Sequence, residues 1–115
     1  MHADAHGAVT YDIVYLLPAV DVVAELANPV RMKIILALRE TEMSANHLAD
    51  IVDGSPRIVA RQLARPSAAG IVAERNHGLR VFYCLANEHV ADLAINGVLQ
   101  AQHAVPTEPD TRPSP

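Results

Sequence analysis

Three arginines recur at intervals of four residues in the stretch SPRIVARQLARP, residues 55–66. At that spacing Arg57, Arg61 and Arg65 project from one face of an α-helix. Guanidinium groups donate hydrogen bonds in a planar fork that matches phosphate and the guanine edge. The spacing therefore predicts a short cationic helix face that binds duplex DNA, with a merely solvated helix face as the alternative.

Local signals define the helix that carries these arginines. Ser55 is a favoured N-cap residue, and Pro56 suits the first helical position. Pro66 lacks a backbone N–H, so the sequence predicts that the helix ends or bends there. Gln62 lies on the same helix and has an amide group of the kind that reads adenine in the major groove.

The charge of the chain is unevenly distributed. The net charge is −4, which argues against non-specific coating of nucleic acid, yet residues 55–80 hold five arginines against one glutamate. Arg75 and Arg80 are the members of that set beyond the helix. A basic segment on an acidic body is typical of a directed anion-binding face.

Helical signals also precede this segment. Apolar residues at helical spacing predict a helix between about residues 11 and 27, interrupted by a kink at Pro18. Asn28 before Pro29, and Ser44 before ANHLADIV, are the cap positions of two further helices.

The pattern changes after residue 70. IVAER and LRVFYCL are prone to form strands, and NHG between them (residues 76–78) predicts a tight hairpin turn. Helical spacing returns from about residue 87 to residue 104.

The element order α-α-α-α-β-β-α is typical of a winged helix-turn-helix, a mainly α fold of the α+β class. In this motif the second helix of the pair enters the major groove, and the hairpin lies beside it. We expect a flexible arm over residues 1–9, one domain over residues 10–104 and a disordered Pro-rich tail over residues 105–115.

The first and last helices are apolar on more than one side, which is more surface than so small a core can cover. A homodimer built through these two helices would bury it and would present two recognition helices to a palindromic operator.

Other classes of protein are disfavoured by absences in the sequence. There is no apolar run long enough to span a bilayer and no secretory signal, and the lone Cys84 fits a reducing cytoplasm. The sequence has no phosphate-binding glycine loop, no paired catalytic carboxylates and no nucleophile with an obvious base, so an enzyme is not expected.

Two longer stretches resemble the ArsR/SmtB family of metal-responsive winged-helix repressors. ELANPVRMKIILALRETEMSANHLADIV (residues 25–52) is similar to the family segment L-A-(D/N)-P-x-R-x-x-I-L-x-x-L and the helix after it. AAGIVAERNHGLRVFYCLANEHVADL (residues 68–93) resembles the entry to the wing, its second strand and the start of the last helix. The resemblance spans about residues 20–104 and implies a dimeric DNA-binding regulator, usually a repressor released by metal.

The recognition helix departs from the family pattern at several positions. Ser55, Val59 and Leu63 match that pattern, whereas Arg57 and Gln62 replace a serine and a histidine. We therefore expect an operator that differs from the usual one. The candidate DNA contacts are Ser55, Arg57, Arg61, Gln62, Arg65, Arg75 and Arg80.

The resemblance also implies a particular metal chemistry. One branch of the family binds metal through cysteines that correspond to Ser44 and Asn46, so a thiolate site is not expected here. Another branch binds nickel, cobalt or zinc between the last helices of the dimer, and the last helix here looks most like its nickel and cobalt sensors.

The ligand set of that second branch is half retained. His89 and His103 match family ligands, whereas Asn87 and Gln100 replace an aspartate and a histidine. Imidazoles suit nickel, cobalt and zinc. Further candidate donors are Gln102, His2 and His6.

Two alternatives remain open from the sequence. The half-retained ligand set is compatible with a metal-independent regulator that a partner protein controls. Pro66 and the acidic body are compatible with a winged-helix interaction module that does not bind DNA.

Overall fold

Five helices and a three-stranded antiparallel sheet are formed by residues 9–106, which are the residues that the computed structural model describes. The predicted arm with His2 and His6, and the tail beyond residue 106, lie outside the described residues. The elements are α1 (Ile13–Glu25), α2 (Pro29–Leu38), β1 (Met43–Ser44), α3 (Ala45–Ile51), α4 (Pro56–Ala68), β2 (Val72–His77), β3 (Arg80–Leu85) and α5 (His89–Ala104).

The helix starts lie where the cap residues predicted them. The side chains of Asn28, Ser44 and Ser55 each accept a hydrogen bond from the backbone N–H three residues later, at 3.0 to 3.2 Å. Each bond satisfies one of the donors that a helix leaves free at its first turn. Asp12 caps α1 in a similar way, through the N–H of Val14.

Neither helix proline ends its helix, so the prediction of two separate helical pieces around Pro18 is wrong, and α4 does not end at Pro66. Helix α1 runs without a break through Pro18, and α4 continues past Pro66 to Ala68. A helix proline frees the carbonyl four residues before it. In α1 that carbonyl belongs to the exposed Val14, where water can bind it. In α4 it belongs to Gln62 and accepts a hydrogen bond from Arg31.

The core lies between helices α2 to α5 and one face of the sheet. Ile34, Leu48, Val59 and Leu63 are completely buried, and Tyr83 contributes the largest side chain from the sheet. Burial raises the pKa of the Tyr83 phenol, and the charge of Glu74 adds to the shift. Apart from this tyrosine the core is aliphatic, which follows from the scarcity of aromatic residues.

The sheet has a strand that the sequence did not reveal. The two-residue β1 pairs with β3, so the strand order is β1-β3-β2. Strands β2 and β3 form the predicted hairpin, but its turn is Gly78–Leu79, because Asn76 and His77 still pair with β3. Gly78 has φ 63°, which is the conformation that tight hairpin turns require at this position.

No single helix within residues 9–106 has the length and hydrophobicity to cross a bilayer, although α1 and α2, bent by 97°, reach that level as a pair.

The helices on either side of the helix-turn-helix turn end in the same way. After α3, Asp53 adopts φ 55°, and the N–H of Gly54 bonds to the Ala49 carbonyl at 2.9 Å. After α4, Gly70 adopts φ 77°, and the N–H of Ile71 bonds to the Pro66 carbonyl at 2.9 Å. This left-handed cap suits glycine, so α4 has the preferred residue and α3 does not.

We expect Asp53→Gly to raise the free energy of unfolding by about 0.5–1 kcal/mol, because glycine adopts positive φ without a steric penalty. Gly70→Ala should lower it by about 1 kcal/mol for the converse reason. Urea unfolding followed by circular dichroism measures both effects. Asp53→Ala is the control for lost charge, and stabilisation by that variant would contradict the conformational explanation.

Candidate nucleic-acid interface and metal ligands

The cationic face of α4 is a consequence of how the helix packs. Val59 and Leu63 are buried against α3 and the core. The arginines at positions 57, 61 and 65 lie on other sides of the helix and are all exposed. The predicted exposure of the three guanidinium groups is therefore observed.

The three arginines differ in their partners. Arg65 lies 3.0 Å from a carboxylate oxygen of Glu25, although its side chain remains 79% exposed. Arg57 and Arg61 form no ion pair with any residue between positions 9 and 106. These two are the α4 cations whose charge is most available to a bound anion.

Gln62 and Ser55 are engaged within the fold. The Oε1 of Gln62 accepts a hydrogen bond from Arg31 at 3.2 Å, and this is the atom that would accept from the amino group of adenine. The Oγ of Ser55 accepts from the N–H of Ile58. The structure therefore brings Ser55 to the start of α4 and turns the Gln62 amide towards α2.

The wing carries the two remaining arginines on one face of the sheet. Arg75 forms a bidentate ion pair with Glu42 at 2.7 and 3.0 Å, and its guanidinium carbon lies 4.7 Å from the centre of the Phe82 ring. Arg80 lies over the same ring at 5.0 Å, and no carboxylate among the described residues pairs with it.

The ion pair between Glu42 and Arg75 shifts the pKa values of both groups. The hydrogen bond from Arg75 lowers the pKa of the Glu42 carboxyl, and the same bond raises the pKa of the Arg75 guanidinium. Arg75 thus faces a carboxylate of opposite charge, whereas Arg80 has no carboxylate partner among the described residues and is the available cation of the wing.

The candidate metal ligands of α5 lie at its two ends. His89 and His103 are exposed and separated by 14 residues, which is about 21 Å along a helix. Both project within about 40° of each other, on the side opposite the buried Val90 and Ala94. Within residues 9–106 no three His, Cys, Asp or Glu side chains come close enough to share a metal ion.

The other members of the predicted ligand set are scattered. Gln102 is exposed and lines a groove between α2 and α5 with Leu36 and Leu99. The Oδ1 of Asn87, two residues before α5 begins, accepts a hydrogen bond from the N–H of His89 at 2.9 Å. His2 and His6 lie outside the described residues.

Helix α1 exposes an extensive apolar surface. The exposed fractions of its large apolar side chains range from 42% to 64%. They are Ile13, Val14, Tyr15, Leu16, Leu17, Val20 and Val23. Contiguous apolar surface of this kind is typical of a protein–protein interface.

Sequence reasoning missed the partners of the arginines. Glu25, Glu42 and Phe82 each contact an arginine of the candidate interface, and Glu42 is 33 residues from its partner. No local spacing links these positions. Only the pairing of β1 beside β3 brings Glu42 to the wing.

Comparisons with known proteins place the chain among transcriptional regulators. It is 39% identical over 90 residues to the HTH-type transcriptional regulator KmtR of Mycobacterium tuberculosis, covering 78% of this chain and 69% of KmtR. It is 36% identical over 76 residues to the HTH-type transcriptional repressor SmtB of the same species, covering 66% of this chain and 56% of SmtB. No family model matches the chain.

A solved structure supports the same assignment. A homodimeric winged helix-turn-helix DNA-binding domain from Mycobacterium bovis, described as a possible ArsR-family regulator, superposes with a TM-score of 0.68. The two are 25% identical, and the match covers 86% of this chain and 93% of that domain. With the wing and the helix-turn-helix in place, these relatives show that the chain belongs to the ArsR/SmtB family of metal-responsive winged-helix transcriptional regulators.

Proposed function

We propose that the protein is a homodimeric, sequence-specific DNA-binding repressor whose affinity for its operator responds to nickel, cobalt or zinc. The observation that carries this proposal is the exposure of Arg57 and Arg61 on α4 without ion-pair partners among residues 9–106, beside the available Arg80 of the wing.

The distribution of paired and unpaired cations supports a DNA contact through α4. Within residues 9–106 Arg57 and Arg61 have no ion pair to break, so their charge is available to phosphates or guanine edges. Arg80 is held over Phe82, which reduces the entropy lost when it contacts the flanking backbone. Arg75 and Gln62 are already engaged, and we expect them to contribute less than the sequence suggested.

The apolar surface of α1 supports the dimer. Val20 and Val23 line an entirely apolar depression on this helix, and the side chains around it are exposed in the single chain. Two-fold pairing would cover this surface, and the Mycobacterium bovis domain of the same fold is homodimeric. A dimer also presents two copies of α4, as a palindromic operator requires.

The positions of the two histidines support a metal site between subunits. Asn96 lies midway between His89 and His103 on α5. A two-fold axis through that midpoint would make the two helices antiparallel and place His89 of one subunit opposite His103 of the other. Two imidazoles are an incomplete ligand set, which Gln102, His2 or His6 would have to complete.

The metal, when bound, supplies a cross-link between the two α5 helices. The histidines fix those helices relative to each other, and this sets the distance between the two α4 helices. DNA affinity changes only if the metal binds one arrangement more tightly than the other.

Arg61→Ala should weaken binding to DNA by at least about tenfold, because an arginine contact to DNA contributes about 1–3 kcal/mol. The measurement is fluorescence anisotropy with a duplex that the wild-type protein enriches from a random-sequence library. Lys33→Ala, which removes an exposed cation of α2, is the control. The dimer should persist in analytical ultracentrifugation, and unchanged DNA affinity would exclude α4 as the reading helix.

Glu42→Gln should strengthen DNA binding and steepen its dependence on salt, because it releases Arg75 from its ion pair and removes a negative charge beside the wing. Titrations of one duplex at several salt concentrations measure both effects. Glu40→Gln removes a nearby carboxylate that pairs with Arg39 instead and serves as the control. Equal behaviour of the two variants would show that the wing does not approach DNA.

Calorimetric titration with Ni(II), repeated with Co(II) and Zn(II), should show binding that either His89→Ala or His103→Ala abolishes, while His77→Ala leaves it intact. A mixture of the two inactive variants should regain roughly a quarter of the sites, because each mixed dimer keeps one complete pair of histidines. A flat wild-type titration would favour the metal-independent regulator.

A further inference from the structure

A polar junction connects helices α1, α2 and α4 around the buried carboxylate of Glu25. Glu25, the last residue of α1, is only 7% exposed, whereas the large apolar residues of α1 are exposed. Its carboxylate lies 3.5 Å from Arg31 of α2 and 3.0 Å from Arg65 of α4. A buried carboxylate needs such partners, because an uncompensated buried charge is strongly destabilising.

Arg31 is the centre of this junction. Its side chain is 16% exposed and donates in three directions. One terminal nitrogen bonds to the backbone carbonyl of Glu25 at 2.9 Å, and the other bonds to the Gln62 amide oxygen at 3.2 Å. The Nε bonds to the backbone carbonyl of Gln62 at 2.9 Å. The guanidinium fork therefore attaches the end of α1 to the middle of α4.

The bond to the Gln62 carbonyl is connected with Pro66. In an α-helix the carbonyl of residue 62 accepts from the N–H of residue 66, and proline has no N–H. Pro66 is completely buried, so water has little access to this part of α4. Arg31 provides the donor that the helix lacks, which explains why α4 continues past a buried proline.

We infer that Arg31 is a positioning residue that sets the orientation of the DNA-reading helix relative to α1, with Glu25 as its anchor and Pro66 as the residue that creates its acceptor. Binding constellations work only within about 0.5 Å and 10–20° of the productive geometry. The part of this inference that concerns DNA affinity rests on the proposed function. Helix α1 is the helix that the proposed dimer buries. The junction thus links the dimer interface to the arginine face.

Arg31→Lys tests this inference, because lysine retains the charge beside Glu25 but lacks the fork that reaches Gln62. We expect binding to the enriched duplex to weaken by about tenfold, since its arginine contacts need a precise α4 orientation. Binding to a mixed-sequence duplex of the same length should stay within about twofold, because phosphate attraction tolerates a reoriented helix. Arg39→Lys makes the same change at the exposed residue that follows α2 and should alter neither affinity.

Rescue separates positioning from a general loss of structure. Pro66→Ala returns a backbone N–H to position 66, so the Gln62 carbonyl no longer needs Arg31. In the Pro66→Ala background, Arg31→Lys should cost markedly less in affinity for the enriched duplex. It should also cause a smaller drop in the melting temperature there than in the wild-type background.

Three outcomes would overturn the inference. The first is an Arg31→Lys protein that discriminates between the enriched and the mixed-sequence duplex as well as the wild type does. The second is a folded Arg31→Lys dimer that loses affinity for both duplexes to the same extent. The third is an equal drop in melting temperature on Arg31→Lys in the wild-type and the Pro66→Ala backgrounds. Glu25→Gln, which keeps the volume and removes the ion pair with Arg31, should reproduce the selective loss if Arg31→Lys does not fold. Failure of the wild-type protein to enrich any sequence would contradict the proposed function, and the melting-temperature comparison would still decide the role of Arg31.

Discussion

The amphipathic character of α4 is the constraint on which the rest of the structure depends. Val59 and Leu63 belong to the hydrophobic core, and Pro66 is also completely buried, so this side of α4 must face inwards. Once that side is fixed, helix geometry places Arg57 and Arg61 in solvent. The same burial that stabilises the small domain therefore leaves the arginines of α4 exposed and so creates its cationic face.

The tertiary structure divides the arginines into two groups with different partners. Arg31, Arg39, Arg65 and Arg75 pair with glutamates of the described segment, and Arg75 also lies over an aromatic ring. Arg57, Arg61 and Arg80 have no such carboxylate within residues 9–106. A paired glutamate reduces the electric field of its arginine, whereas an unpaired arginine keeps its full field. A chain with a net negative charge can therefore still present a localised positive surface.

Symmetry provides what one subunit lacks. A single chain leaves the apolar side of α1 exposed and keeps its two α5 histidines about 21 Å apart. In the proposed dimer one two-fold axis accounts for both features. The second subunit covers α1, and the N-terminal end of α5 in one subunit lies opposite the C-terminal end of α5 in the other. The junction of Glu25 and Arg31 lies where α1 meets α4, so in the proposed dimer it would link the α1 interface to the proposed DNA-binding face.

Much of the fold was predictable from local chemistry. Asn28, Ser44 and Ser55 cap helices through hydrogen bonds to residues three positions away, and such short-range signals are legible in sequence. The hairpin was predicted for the same reason, with its turn displaced because β2 extends through His77. The prediction that α1 is interrupted at Pro18 was wrong and α4 does not end at Pro66, since local propensity does not reveal whether a freed carbonyl binds water or a side chain from another helix.

The sequence by itself determined the order of the elements, the positions of most helix starts and the arginine spacing of α4, because each depends on residues within one or two helical turns. Only the tertiary structure decided which arginines are paired, that Gln62 faces Arg31, and that β1 brings Glu42 to the wing. The contacts of Gln62 with Arg31 and of Glu42 with Arg75 join residues 31 and 33 positions apart, and they form only after the core has fixed how the helices and strands pack.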